Sequence, residues 1–336
     1  MKVAVLKGGR SLERGVSLRS GARVEDALAR LGHEVLPIDV GPDLVERLVA
    51  ERPDVAFVAM HGVGGEDGTV QELLEILGVP FTGPGAAACA RCMDKVQAKD
   101  AIELAGRETP DGQEAPDGLK TPHWFAFNQT AFREFGAADA LGRLEETLGF
   151  PLVVKPSRGG SSLGVRFAGS AADVPQALVS AFSYDDRVLL ECFVDGRELA
   201  VSVLGDEPLP VVEAILLEGD RYDFEARYEI GRTRFVCPAE LSAEEERAVT
   251  EAALGTYRAL GCTGFARIDL ILGEDGPWLL EANAIPGLTD TSLLPQAAEA
   301  AGLSFEQLVE RILDLALDGP MPAHPGVLSR SDRVTH

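Results

Sequence analysis

Between Lys2 and Met60 short apolar runs alternate with stretches of helical spacing, and this alternation restricts the fold more than any other feature of the chain. The run 2–6 ends at Gly8-Gly9, and residues 17–31 carry Val24, Leu28 and Leu31 at helical spacing. Strand-like runs follow at 34–38 and 55–60, with a helix expected at 44–50 between them. Strands that alternate with helices build a parallel sheet, because each crossover helix returns the chain to the same end. The glycine-rich loops at Gly8-Gly9 and at 61–68 then lie along one carboxyl edge, where such sheets bind ligands.

A helix is expected at 94–105 with Asp94 as its N-cap, and the Gly-, Pro- and acid-rich stretch 106–121 reads as a domain boundary. A second pattern follows: a helix at 131–148, strands at 151–155 and 163–167 around a glycine-serine loop, a helix at 171–181, and strands at 187–191 and 198–204. Residues 218–234 are polar and aromatic with weak periodicity, the signature of a long loop and a candidate lid. A helix at 243–260, strands at 264–272 and 277–283, and helices at 292–301 and 305–317 complete the pattern. The fold class is α/β, with α+β character in the C-terminal part. The expected domains are 1–106, 107–215 and 216–320, followed by a mobile tail at 321–336.

Composition excludes several functions. The chain has 336 residues, with 31 Lys and Arg against 54 Asp and Glu, a net charge of −23. Such a surface repels nucleic acid and anionic membranes, although a few cations in one cleft still suffice for a nucleotide. No apolar run approaches the ~18 residues of a transmembrane helix. The start of the chain does not read as a signal peptide, so the five cysteines are expected to be reduced thiols of a cytoplasmic protein. Cys89 and Cys92 have CxxC spacing without a second pair, and read as small buried side chains.

The strongest chemical signal is the final hairpin. Residues alternate faces along a strand, so in Ala266-Arg267-Ile268-Asp269-Leu270 the side chains of Arg267 and Asp269 share a face, as Glu281 and Asn283 do in Leu279-Leu280-Glu281-Ala282-Asn283. Two carboxylates and an amide in an apolar setting need compensation. A hard cation such as Mg²⁺ supplies it, and so does an ion pair from Arg267 to Asp269 or Glu281. Pro286-Gly287 just beyond reads either as an ordinary turn or as a source of bare N–H groups for an oxyanion.

The stretch from Lys155 to Gly164 (KPSRGGSSLG) is not a P-loop, and no GxGxxG fingerprint follows the first strand. Its three glycines and three serines still offer many N–H donors between two strands, with Lys155 entering from the strand end. The stretch from Glu191 to Glu198 (ECFVDGRE) reads as a strand–turn–strand whose apolar wall suits a purine.

Several motifs occur in order: Gly8-Gly9-Arg10-Ser11 with Glu13 and Val16-Ser17; the run His61–Thr69 (HGVGGEDGT); Met93-Asp94-Lys95; the Lys155–Gly164 loop; the run Tyr222–Tyr228; Arg267-Ile268-Asp269; and Glu281-Ala282-Asn283 with Pro286-Gly287. The ordered set resembles the ATP-grasp superfamily and, within it, the D-alanine–D-alanine ligases, over residues 2–318. The resemblance implies an ATP-grasp fold with an N-terminal parallel α/β domain. It implies a ligase that phosphorylates one D-alanine with ATP and lets a second D-alanine attack the acyl phosphate, for peptidoglycan precursor synthesis.

The resemblance also implies roles for matching residues. Glu13 pairs with the ammonium of the first D-alanine, with His61 nearby. Lys95, Lys155 and Arg227 hold ATP phosphates. Glu191, Phe193 and Val194 line the adenine site, and Glu198 meets the ribose. Asp269, Glu281 and Asn283 bind two Mg²⁺ ions, with Mn²⁺ as a substitute and K⁺ as a monovalent companion. Arg267 and the Gly287 N–H stabilise the tetrahedral intermediate. Ser292 and Leu293 receive the second D-alanine carboxylate. Ser161 and Tyr228 link to Glu13 and close the loop over the site. A homodimer is implied.

Arg227 stands where the family usually has Lys, Gly159 where Glu is frequent, and Cys192 where Lys is frequent. The resemblance implies, through Tyr228, D-alanine rather than D-lactate as the second substrate. The rival readings are an ATP-grasp ligase for other amino acids or a D-hydroxy acid, a regulatory nucleotide-binding protein without catalysis, and a dinucleotide-dependent oxidoreductase, which the missing GxGxxG argues against. Taken singly, His61, Glu13 and Lys95 each also read as structural residues.

Overall fold

The protein is described from a computed structural model covering residues 1–105, 119–136, 142–160, 163–216 and 233–318. It falls into two compact units. The first comprises Met1–Ala90, Cys262–Ala266 and the chain from Ala284 onward. The second comprises Arg91–Gly261 and Arg267–Asn283.

In the first unit, β1 (Lys2–Lys7), α1 (Arg14–Arg30), β2 (Glu34–Asp39), α2 (Leu44–Glu51) and β3 (Val55–Val58) follow the expected alternation. The strands form a parallel sheet in the order β2-β1-β3, with Val3 opposite Val35 and Val55. β1 and β3 are apolar because the sheet is covered on both faces, and Leu6, Val58, Ile38 and Leu74 join one core. Leu74 comes from α3 (Thr69–Leu77), a helix not foreseen in the sequence. α3 starts at Gly68, whose φ of 96° suits glycine. α4 (Ala86–Met93) leads toward the second unit.

In the second unit, α5 (Lys95–Ala105) begins as expected. The Asp94 carboxylate accepts hydrogen bonds from the Val96 and Gln97 N–H groups, the N-cap arrangement. β4 (Trp124–Asn128), not foreseen, opens a four-stranded antiparallel sheet. The single helix expected at 131–148 is instead two short helices, α6 (Gln129–Glu134) and α7 (Gly142–Thr147). Gly136, at φ 71°, ends the first of them, because a glycine in the left-handed region stops a helix. β5 (Leu152–Pro156) precedes β6 (Arg166–Ala168), which starts later than expected. Gly164 delays it with a φ of 79°, in a turn where a side chain would run into the Tyr184 ring.

α8 (Val174–Ala181), β7 (Arg187–Cys192) and β8 (Arg197–Leu204) follow. The first sheet has the order β4-β7-β5-β6 and packs Leu152, Val154 and Leu190 against Leu178 of α8. The second antiparallel sheet adds β9 (Glu207–Pro208), β10 (Val212–Leu216), β11 (Thr233–Val236), β12 (Phe265–Gly273) and β13 (Gly276–Asn283). Its order is β11-β10-β8-β12-β13, with β9 beside β8. Against it lies α9 (Ala243–Ala259), started by a Ser242–Glu245 capping box. The last helices, α10 (Leu293–Ala300) and α11 (Phe305–Asp318), belong to the first unit. Among the described residues no helix is long and apolar enough to cross a membrane.

Most of the expected lid at 218–234, and the tail at 321–336, lie outside the described residues.

Candidate active site

In the second unit the hairpin β12–β13 sets four side chains side by side. Arg267 is directly opposite Asn283 and Asp269 opposite Glu281, so alternation brings all four to one face. The register shifts between Asp269 and Leu270, an irregularity of the kind that re-aims side chains near sites. Arg267 grips Asp269 with two bonds, Nε to Oδ1 at 2.7 Å and Nη2 to Oδ2 at 2.8 Å. Asn283 Nδ2 donates to Asp269 Oδ2 at 3.0 Å. Of the two ion pairs open to Arg267 from sequence, the one to Asp269 forms.

Glu281 is compensated from another element: Lys95 Nζ lies 3.3 Å from its Oε2. The same ammonium donates to the Gly159 carbonyl at 2.8 Å. Lys95 therefore ties the carboxylate face to the glycine-serine loop. Burial opposes ionisation of Glu281, but Lys95, Lys155 and Arg267 outweigh it and hold the carboxyl below its usual range. The loop is anchored at its start, where Ser157 Oγ donates to Asp94 Oδ1 at 2.6 Å. Burial likewise opposes ionisation of Asp94, and the bonds from Ser157, Gln97 and Val96 hold its pKa low.

The donor set suits a hard cation. Asp269, Glu281 and Asn283 offer oxygen ligands on one face, and both carboxylates keep partly exposed side chains. Among the described residues no three His, Cys, Asp or Glu side chains converge on a metal position; this set has two acids and one amide.

Behind the loop three lysines are buried. Lys95, Lys99 and Lys155 are 8%, 1% and 6% exposed. Lys155 Nζ is 2.5 Å from Glu191 Oε1, and Lys99 Nζ is 2.8 Å from Oε2. Burial disfavours the Glu191 charge, and the two lysines more than restore it. Sequence reasoning missed Lys99. Its signal was its place one helical turn after Lys95.

The adenine role assigned to Glu191 from sequence finds its carboxylate engaged by these lysines. Phe193 meets Phe167 edge to face at 5.5 Å, and Val194 follows it toward the turn into β8. Glu198 sits on β8 opposite Ala214.

In the first unit, residues from loops at the sheet edge form one network. His61 is buried; its Nδ1 lies 3.1 Å from the Ile285 carbonyl and 3.2 Å from Glu66 Oε1. A carbonyl only accepts, so this nitrogen carries a hydrogen. His61 Nε2 lies 2.9 Å from Ser20 Oγ, which accepts from the Leu288 N–H at 3.2 Å. Glu66, also missed from sequence, has its pKa raised by burial and by Glu13 nearby, against the opposing pull of His61 and the Gly62 backbone.

Glu13 borders Gly62, where a side chain would strike Glu13 Oε2 at 2.6 Å, and Ser11 Oγ donates to the His61 carbonyl at 2.6 Å. Gly287 is as crowded: a Cβ there would lie 2.6 Å from Ser292 Oγ. That hydroxyl accepts from the Thr289 N–H at 3.1 Å and does not cap its own helix. The first N–H groups of α10, from Leu293 onward, thus lack a side-chain cap from Ser292, and such N–H groups suit a carboxylate.

The structure therefore gathers Lys95, Lys155, Glu191, Arg267, Asp269, Glu281 and Asn283 in the second unit, and Glu13, His61, Gly287, Ser292 and Leu293 in the first. Ser161, Arg227 and Tyr228 lie outside the described residues.

Comparison with known proteins adds an independent line. The sequence profile of the D-ala D-ala ligase C-terminus matches residues 115–314, and that of the N-terminus matches residues 43–84. The D-alanine--D-alanine ligase of Geobacter sulfurreducens is 42% identical over 314 residues, covering 93% of each chain. That of Nitrosospira multiformis is 44% identical over 316 residues, covering 94% of this chain and 96% of the relative. The crystal structure of the Bacillus anthracis D-alanine--D-alanine ligase complexed with ATP superposes with a TM-score of 0.78 at 32% identity, over 94% of this chain and 97% of that one. The VanG D-Ala:D-Ser ligase of Enterococcus faecalis superposes at 0.77 with 29% identity, over 94% and 99% of the chains.

Proposed function

The chain belongs to the D-alanine–D-alanine ligase family, and from that premise we propose that it joins two D-alanines at the expense of ATP, giving D-alanyl-D-alanine, ADP and phosphate. A carboxylate oxygen of the first D-alanine attacks the γ-phosphorus, and ADP leaves. The amine of the second attacks the acyl carbonyl, the carbon–oxygen bond to phosphate breaks, and the amine proton is lost. The product serves peptidoglycan precursor synthesis in the cytoplasm, and the enzyme acts as a homodimer.

The observation that carries this reading is Lys95, which contacts both Glu281 and the Gly159 carbonyl. Phosphoryl transfer asks for positioning and charge neutralisation rather than covalent help, and this lysine stands where phosphates, loop and acidic face are served at once. Lys155 is the second phosphate ligand and Arg227 the third. Asp269, Glu281 and Asn283 would hold Mg²⁺, or Mn²⁺ in its place, with K⁺ as companion. When bound, the ion neutralises and orients phosphate oxygens.

Phe193 and Val194 form the adenine wall and Glu198 meets the ribose. Glu191 contributes to the adenine site through the strand it anchors. Arg267, with its fork fixed by Asp269, and the Gly287 N–H stabilise the oxyanion. Glu13 pairs with the first ammonium beside His61, and Ser292 and Leu293 receive the second carboxylate. Ser161 and Tyr228 hold the substrate enclosed against hydrolysis.

The test is a reaction of ATP, Mg²⁺ and D-alanine with mass detection of the dipeptide and a count of phosphate released. D-alanyl-D-alanine in step with phosphate supports the reading. Preference for D-serine, D-lactate or an L-amino acid as acceptor reassigns the substrate, and no ATP-dependent product removes the ligase reading.

A further inference from the structure

We propose that Lys99 is a positioning residue for nucleotide binding: it neutralises Glu191, so that the neighbouring Lys155 keeps its charge available for the triphosphate. This rests on the reading of Lys155 as a phosphate ligand.

Glu191 is 2% exposed, and its two oxygens are divided between two ammoniums, Lys155 at 2.5 Å and Lys99 at 2.8 Å. The trio carries one net positive charge. Without Lys99 it becomes a neutral pair, in which a buried carboxylate with a single partner draws that partner in more strongly and a polyanion is attracted less. Lys99 cannot itself reach out to a nucleotide as an exposed lysine does, since it is 1% exposed and its ammonium also donates to Thr121 Oγ1. Its charge therefore acts through Glu191 and Lys155.

The balance is poised. Burial, with help from Lys155, brings the Lys99 pKa down to about 8, against the pull of Glu191 and Glu103. The titratable groups facing it are Glu191 and, at the end of the same strand, Cys192 on β7, Lys155 on β5 and Glu103 on α5 itself; Glu103 also accepts from Trp124 Nε1 of β4. β13 brings Glu281, which Lys95 engages, and the buried face of α9 has Tyr257 as its titratable member. As pH rises past about 8, Lys99 loses its proton and Glu191 falls to Lys155 alone.

The test is direct titration of MgATP binding, without turnover, on the full chain. For Lys99→Met the expected result is a Kd raised roughly 10-fold at pH 7, and for Lys99→Arg a Kd near wild type. The Lys99→Met/Glu191→Gln double variant is expected to bind MgATP about three-fold or more tighter than Lys99→Met alone, because the uncompensated carboxylate is gone. A purely structural lysine predicts no such rescue. Wild-type affinity is expected to weaken between pH 7 and 9, over which the triphosphate is already ionised, and this arm needs no variant to fold.

A Lys99→Met Kd within two-fold of wild type, a double variant no tighter than the single, or a flat wild-type profile overturns the inference and leaves the ligase reading standing. Absence of MgATP binding by wild type overturns both.

Discussion

Arg267 and Asp269, two residues apart on β12, are joined by a two-bond fork at 2.7 and 2.8 Å, and Asn283 from the facing strand donates to the same carboxylate. The guanidinium plane is thereby fixed before any substrate arrives. A preorganised donor helps catalysis because it need not reorient when charge develops.

Replacing Arg267 by Lys keeps the charge and removes the planar fork. The expected outcome is a kcat lower by about 10²–10³-fold with folding stability changed far less. Steady-state phosphate release set beside urea unfolding measures both. A kcat within a few-fold of wild type would remove Arg267 from the oxyanion role.

Asp94 caps α5 and holds Ser157, and the sum of its bonds lowers its pKa from an ordinary value of 3.8 despite burial. A depressed folded pKa contributes stability that is present above the unfolded value and fades as pH falls through the folded one. Asp94→Ala is therefore expected to cost about 1–2 kcal/mol at pH 7, and less below about pH 4. Urea midpoints at both pH values give the comparison. An equal loss at both would mean that the carboxylate charge contributes nothing.

Glu66 has the opposite sign. Its folded pKa lies above the ordinary 4.5, so its contribution is fully present below the unfolded value and is lost as pH rises through the folded one. Relative to wild type, Glu66→Gln should gain stability on going from pH 4 to pH 8, since the amide has no charge to bury. Unfolding midpoints of the two proteins across that range would converge or cross; a constant gap would contradict the buried charge.

Gly196, in the turn between β7 and β8, is pressed against β12. A Cβ there would collide with the Leu272 carbonyl and lie 2.7 Å from an Ile271 methyl. Backbone on one side leaves little room to relax, so Gly196→Ala should destabilise by about 1–3 kcal/mol. Denaturant unfolding measures it, and a neutral result would show that the turn moves away from β12 without cost.

Local chemistry was legible where the period of a single element decided the matter. Alternation along β12 and β13 put Arg267, Asp269, Glu281 and Asn283 on matching faces before any register was known, and Asp94 announced its helix. The two short helices in place of 131–148 were legible too, at Gly136, had its left-handed role been weighed against the run of helix formers around it. β4 was not, because Trp124–Asn128 becomes a strand only by pairing with β7.

From sequence alone came the strand–helix order, the cap, the shared faces and the order of the motifs, all set by backbone geometry within a few residues. The partners of charges were decided only in three dimensions: Arg267 to Asp269 rather than Glu281, Lys95 to Glu281, and Glu191 between Lys99 and Lys155. Desolvation and Coulomb attraction depend on what surrounds a side chain, and those neighbours arrive from distant strands when the sheets close over them.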